Sequence, residues 1–210
     1  MVTPLKTFMG FLVHLNVQLI FYNLSNHKIK IKINSNSKIV LHNCNSIFTV
    51  EFGFKGTPFV SNNYSSSLTL INSILEIHGP AVIAQGMNVF LDNGSLVIGS
   101  NLYINKNVTI QCTGRIEIGN DSLLGWNVSI RDTDGHSLTG KSRFEKKNII
   151  TIESNTWIAA NTTLLKGTFL AEGCVVATGS ILVGLVVEKE NCLIAGIPAK
   201  IKKQEVTLIC

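Results

Sequence analysis

The sequence predicts an all-β protein built as a parallel β-helix of hexapeptide repeats. Three columns of residues carry that expectation. From Ile152 the chain falls into consecutive sixes that open on a branched aliphatic: Ile152, Ile158, Leu164, Leu170 and Val176. The fourth position is Asn155, Asn161, Gly167, Gly173 or Gly179. Asn and Gly accept positive φ, so a tight corner recurs every six residues. The fifth position is small, with Thr156, Thr162, Thr168, Cys174 and Ser180, and fits inside the corner. A period of six matches neither an amphipathic helix nor an alternating strand. It matches one short strand and one turn per repeat. A sandwich with frequent turns gives no reason for three columns to agree over successive hexads. The register weakens further on, where Leu185 and Ile197 take the corner column and Glu188 the aliphatic one. A bulge or the end of the coil is expected there.

A chain of 210 residues favours one domain and can bury a sizeable core. Hydrophobic residues make up 45% and charged residues 15%. The net charge of +5 permits an anionic ligand without requiring one. No interleaving of aromatic and basic residues argues for nucleic acid. The five cysteines, Cys44, Cys112, Cys174, Cys192 and Cys210, form no Cys-x-x-Cys pair, and the histidines do not fall at zinc spacing. Free thiols in a reducing cytoplasm are expected. Cys174 and Cys192 should stack in adjacent coils as small apolar residues, with a disulfide as the alternative.

Residues 1–28 form an apolar cap segment, with Phe8, Phe11, Leu12, Val13, Leu15, Val17, Leu19, Ile20 and Phe21 interrupted by Lys6, His14, Asn16 and Gln18. The uninterrupted apolar run is too short to span a bilayer. No small-x-small cleavage site follows it. A packed helix or strand is expected, with peripheral membrane contact as the alternative. From Ile29 the pattern alternates: Ile29, Ile31 and Ile33 read as half-buried, and Lys28, Lys30 and Lys32 as a solvated face. Gly53–Ser67 reads as a loop. Residues 29–97 are expected to be irregular early coils of the same β-helix. Clean register runs over residues 98–203, and 204–210 form a tail. Ile98-Gly-Ser-Asn-Leu-Tyr and Ile104-Asn-Lys-Asn-Val-Thr are good hexads. Ile110-Gln-Cys-Thr-Gly-Arg is poorer and is followed by a two-residue slip. Ile118-Gly-Asn-Asp-Ser-Leu and Leu124-Gly-Trp-Asn-Val-Ser resume the pattern.

Residues 131–148 carry no aliphatic ladder and read as a loop thrown out between two regular blocks. Repeat folds often place function on such insertions. The loop opens Asp132-Thr133-Asp134-Gly135-His136. Histidine is the usual general base near neutral pH. Asp132 or Asp134 could hold its tautomer and stabilise the imidazolium. The competing readings are a plain polar surface loop or an Asp-x-Asp-x-His metal site, the latter with no further ligands to support it.

Four features together resemble the hexapeptide-repeat acyltransferases, a family of left-handed β-helix acetyltransferases. They are Ile118-Gly-Asn-Asp with Trp126-Asn-Val, the Asp132–His136 loop, the Asn155-Thr-Trp-Ile-Ala-Ala-Asn hexads, and the ending Ile194-Ala-Gly-Ile-Pro-Ala-Lys-Ile. The Asp-Thr-Asp-Gly-His variant is similar to enzymes that O-acetylate sugars of bacterial surface polysaccharides. The resemblance implies left-handed coiling, a homotrimer with active sites between subunits, and acetyl-CoA as co-substrate; no metal is expected, because of His14, His27, His42, His78 and His136 only His136 sits in a loop flanked by good hexads. His136 takes the place of the catalytic base, supported by Asp134 or Asp132. Trp157, Ala160, Thr178, Lys200 and Lys203 match cofactor-binding positions, and Asn105 and Trp126 match acceptor positions. Trp157, read at a coil corner, and Trp126 could equally be packing. Val183 and Gly184 depart from a common Thr/Ser-Lys pair, so one phosphate contact is expected to be missing. The implied activity is O-acetylation of a sugar or polysaccharide hydroxyl, in the cytoplasm or at the inner face of the membrane. The alternatives are N-acetylation of an amino sugar nucleotide and a non-catalytic or metal-binding β-helix.

Overall fold

The computed structural model describes residues 12–14, 17–21, 29–42, 48–54, 65–136 and 148–207. Residues 137–147, which hold most of the expected loop, Cys44, Cys210 and most of the apolar start lie outside the described residues. The described chain is all strand and turn. It winds through three sheets in rotation. The first sheet includes Leu102–Ile104, Leu123–Leu124, Trp157–Ile158 and Val175–Val176. The second includes Thr109–Cys112, Ser129–Arg131, Thr163–Leu165 and Ile181–Val183. The third includes Ser95–Ile98, Arg115–Ile118, Ile149–Ile152 and Phe169–Leu170. Neighbouring strands in all these ladders are parallel. Antiparallel pairs occur at the two ends, at Leu12–His14 with Val17–Phe21 and at Leu193–Gly196 with Ala199–Lys203. The three-sided parallel β-helix expected from the hexads is the observed fold.

Each column of the hexad has its predicted place. Ile152, Ile158, Leu164, Leu170 and Val176 are buried on the axis. Asn155, Asn161, Gly167, Gly173 and Gly179 all have positive φ, as do Asn101, Asn107, Asp121 and Asn127. The small fifth residue also completes the corner. The hydroxyls of Thr156, Thr162, Thr168 and Ser180 donate to the carbonyls of Glu153, Ala159, Leu165 and Ala177 at 2.6–2.8 Å. Each buried hydroxyl thereby has its hydrogen-bond acceptor. The corner asparagines also bond to one another. Asn107 Nδ2 donates to Asn127 Oδ1 at 3.1 Å, and Asn127 Nδ2 to Asn161 Oδ1 at 2.9 Å. Asn127→Ala is expected to lower stability by about 1–2 kcal/mol, because alanine resists positive φ. Asn127→Gly should cost less, since it loses only the ladder bonds. Urea unfolding of the two variants separates the contributions.

Coil length explains why the early register is hard to read. Late coils repeat every eighteen residues, as Thr151 beneath Phe169. Ser95 lies beneath Arg115, twenty residues on, and Ile74 beneath Ser95, twenty-one on. The extra residues sit at the corner between the second and third sheets. There the coil carries an additional inward residue on each side, Leu91 with Leu96 and Cys112 with Ile116, all buried. Near the C-terminus the coil bulges rather than ends. Val187, not Glu188, takes the axial position, and Ile194 resumes it.

Two expectations need correction. Ile31 and Ile33 are 45% and 44% exposed rather than half-buried. Among the described residues their strand is the last rung of its sheet, paired on one side only with Ser66–Ile71, and no further described rung covers them. The expected loop over Gly53–Ser67 fails at both ends, and residues 55–64 lie outside the described residues. Gly53 belongs to the strand Phe48–Phe54, and Ser66 and Ser67 to the strand Ser66–Ile71. Among the described residues no helix is long and apolar enough to cross a membrane.

Candidate active site

The predicted loop leaves the prism at the corner between the second and third sheets. Its seat is the poor hexad Ile110-Gln-Cys-Thr-Gly-Arg. Asp132 is fully buried and turns its carboxylate onto that seat. One oxygen accepts from the Thr113 N–H at 2.8 Å, the other from the Gly114 N–H at 2.8 Å. The Cys112 thiol donates to the second oxygen at 3.2 Å. The exit of the loop lands on the same seat. The Arg115 N–H donates to the Asn148 carbonyl at 2.9 Å, and Asn148 Nδ2 to Thr113 Oγ1 at 3.4 Å. A side chain on Gly114 would begin 2.1 Å from the Asn148 carbonyl oxygen, so only glycine lets the loop close there.

A second anchor lies on the opposite side. Arg131 pairs with Leu165, which places Lys166 on the rung next to Asp132. Lys166 Nζ meets Asp134 Oδ2 at 2.6 Å. Between the anchors the Gly135 N–H donates to Thr133 Oγ1 at 3.1 Å, and Gly135 has a φ of 73°. The next residue is His136, exposed to solvent. Among the described residues neither aspartate bonds to His136. Asp132 secures the base of the segment and Asp134 ties it to Lys166. An open groove of about 340 Å³ begins just past Lys166, lined by Ile149, Thr168, Phe169, Gly184 and Val186.

The other predicted site residues lie elsewhere on the prism. Strand register stacks Trp126, Ala160 and Thr178 in one column at the corner between the first and second sheets. Asn105 stands beside this column on the preceding coil, buried, with Oδ1 accepting from the Lys106 N–H at 2.9 Å. Trp126 is exposed, Ala160 is buried and Thr178 is exposed. Trp157 lies within the strand Trp157–Ile158 and is exposed on the first sheet, not at a corner as its hexad position suggested. Lys200 and Lys203 are exposed on the strand Ala199–Lys203 at the end of that sheet. One chain therefore carries the His136 segment on one edge and the column of Trp126, Ala160 and Thr178 on another.

Sequence reasoning missed Cys112, Thr113, Gly114, Asn148 and Lys166. For Lys166 the signal was present: aligning the Leu164 hexad above the Ile130 hexad puts Lys166 beside Asp132. The described cysteines are buried free thiols, and Cys174 and Cys192 occupy successive rungs. Burial, and then the adjacent Asp132 carboxylate, push the Cys112 thiol up to about 12. Burial also raises Cys174. Neither is a thiolate near neutral pH. In the folded protein at pH 8, iodoacetamide is expected to leave Cys112 and Cys174 unmodified, with labelling appearing in denaturant. Peptide mass mapping reads this directly.

No protein-family model matches the chain. A curated relative does: an uncharacterized 24.8 kDa protein in the cps region of Klebsiella pneumoniae, 38% identical over 186 residues, spanning 88% of this chain and 80% of that protein. The chain belongs to the same family as that protein. Among solved structures it overlaps the polysialic acid O-acetyltransferase OatWY with a TM-score of 0.46 at 25% identity, over 94% of this chain and 92% of that one. It overlaps the polySia-specific acetyltransferase NeuO with a TM-score of 0.44 at 21% identity, over 93% and 89%. AntD from Bacillus cereus, an N-acyltransferase solved with dTDP and coenzyme A, gives 0.48 at 14% identity, over 85% and 82%.

Proposed function

We propose that the protein is an acyltransferase that moves an acetyl group from acetyl-CoA to a hydroxyl of a sugar or polysaccharide, with His136 as general base. The observation that carries this reading is the double anchoring of the Asp132–His136 segment. Asp132 binds it to the coil on one side, Lys166 holds Asp134 on the other, and the imidazole is presented to solvent. An enzyme needs its base in fixed geometry beside an open surface.

In the proposed step the sugar oxygen attacks the thioester carbonyl carbon while its proton passes to an imidazole nitrogen of His136. The tetrahedral oxyanion is stabilised by a donor facing the cleft. The carbon–sulfur bond then breaks, and the imidazolium returns the proton to the departing CoA thiolate. The buried thiols of Cys112, Cys174 and Cys192 favour this direct transfer over an acyl-cysteine intermediate. Asp132 and Asp134 act as positioning residues for the segment.

The placement of the remaining residues favours a shared site in a homotrimer. Trp126, Ala160 and Thr178 stand on a different edge from His136, so a site using both edges needs a neighbouring copy. In that arrangement Trp157, Ala160, Thr178, Lys200 and Lys203 face the cofactor, and Asn105 and Trp126 the acceptor. Release of CoA from acetyl-CoA, measured with sugars, nucleotide sugars and oligosaccharides, tests the activity. Turnover with a hydroxyl acceptor supports O-transfer; turnover only with an amino sugar moves the reading to N-transfer; failure to bind acetyl-CoA overturns it.

A further inference from the structure

Coil register assembles a second polar cluster, far along the sequence from the His136 loop. Leu41 pairs with Ile77, so the next residues, His42 and His78, share a rung position on the third sheet. Glu76 lies two residues before His78 and on the same outward face, as strand alternation requires. The two imidazoles stack with centroids 3.9 Å apart and planes 10° from parallel. Both ring nitrogens face one carboxylate oxygen: His42 Nε2 is 2.9 Å and His78 Nε2 3.7 Å from Glu76 Oε2. One ligand atom from each residue falls within 4.8 Å of the others. At the next rung this column holds Gly99, which leaves a groove of about 280 Å³ running past His78 toward Glu117 and Glu153.

We propose that His42, Glu76 and His78 bind a first-row transition-metal dication, with Zn²⁺ as the ion of first choice, and that the bound metal clips the outermost described rung of the third sheet to the next.

The donor set fits. Zinc bonds of about 2.0–2.2 Å to nitrogen and oxygen put ligand atoms roughly 3.3–3.5 Å apart in a tetrahedron. The two measured nitrogen–oxygen separations straddle that range. To aim both lone pairs at one ion the stacked rings must splay by rotation about χ2, a soft torsion. The His42 and His78 side chains are 42% and 40% exposed, and His78 Nε2 itself is buried. Two imidazoles and one carboxylate suit zinc and its neighbours rather than Mg²⁺ or Ca²⁺. The competing reading is a histidine pair hydrogen-bonded to a glutamate. A clip here has a structural use, because among the described residues the strand Lys38–Leu41 is an end strand paired on one side only.

The test is zinc titration of the tag-free full chain against a chromogenic chelator, with Co²⁺ absorption as a second readout. One zinc per chain is expected, undisturbed by a large excess of Mg²⁺. His42→Ala and His78→Ala should each weaken binding by at least about 100-fold, more than the loss of a supporting second-layer contact. Glu76→Gln and His78→Asn keep the size of the side chain and serve where the alanine variants do not fold. His136→Ala should bind zinc as wild type. At a hundredfold excess of free zinc over its Kd the melting temperature should rise by about 5–10 °C. Absence of stoichiometric binding overturns the proposal. So does binding that survives the His42 and His78 variants, including binding abolished only by Cys44→Ser with Cys210→Ser.

Discussion

Asp132→Ala is expected to lower the free energy of unfolding by about 2–4 kcal/mol. The substitution strips two backbone N–H groups, those of Thr113 and Gly114, of their acceptor. It also frees the Cys112 thiol from its bond to the carboxylate. These groups sit at a corner that the rest of the coil closes over, and water cannot replace a carboxylate that is 0% exposed without opening that corner. Asp132→Asn keeps one acceptor oxygen but places an amide N–H₂ against a backbone donor, so it should recover only part of the loss. Gly114→Ala attacks the same seat from the other side, by pushing on the Asn148 carbonyl.

Asp134→Ala gives the informative contrast. Its bond to Lys166 is short, but the two side chains are 54% and 27% exposed. Such pairs contribute about 0–1 kcal/mol. The variant should therefore melt close to wild type while turnover falls, because His136 loses one of its two anchors. Lys166→Ala should reproduce that fall. Urea unfolding and CoA release, measured on the same preparations, distinguish a residue that holds the fold from one that holds the base.

The repeat made most of the fold legible. Aliphatic, corner and small columns are independent consequences of one geometry, and each was visible in five consecutive hexads. The early coils were less legible because Leu91–Leu96 and Cys112–Ile116 widen one corner, and the coil then repeats every twenty or twenty-one residues. Ile31 and Ile33 misled because alternation reports which face a side chain takes, not whether a further rung covers it. In the loop, the Asp132–His136 stretch announced itself by lacking the ladder. The division of labour between Asp132 and Asp134 was not readable, since it depends on Thr113 and Gly114 below and Lys166 above. Those contacts cross from coil to coil and have no local signature. The His42–Glu76–His78 cluster was hidden for the same reason: its members meet only through a coil of thirty-six residues, the offset between Leu41 and Ile77.

The central claim is that His136 takes the proton from the acceptor hydroxyl. It is tested most directly by comparing CoA release by wild type and His136→Ala with the acceptor that gives turnover, alongside acetyl-CoA binding by calorimetry. His136 is exposed beyond the anchored corner, so its removal should leave the fold and cofactor affinity intact. Loss of a positioned base slows proton transfer by about 10²–10⁴-fold. A fall of that size in turnover, with unchanged acetyl-CoA affinity and melting temperature, is the predicted result. Wild-type turnover in His136→Ala would contradict the account.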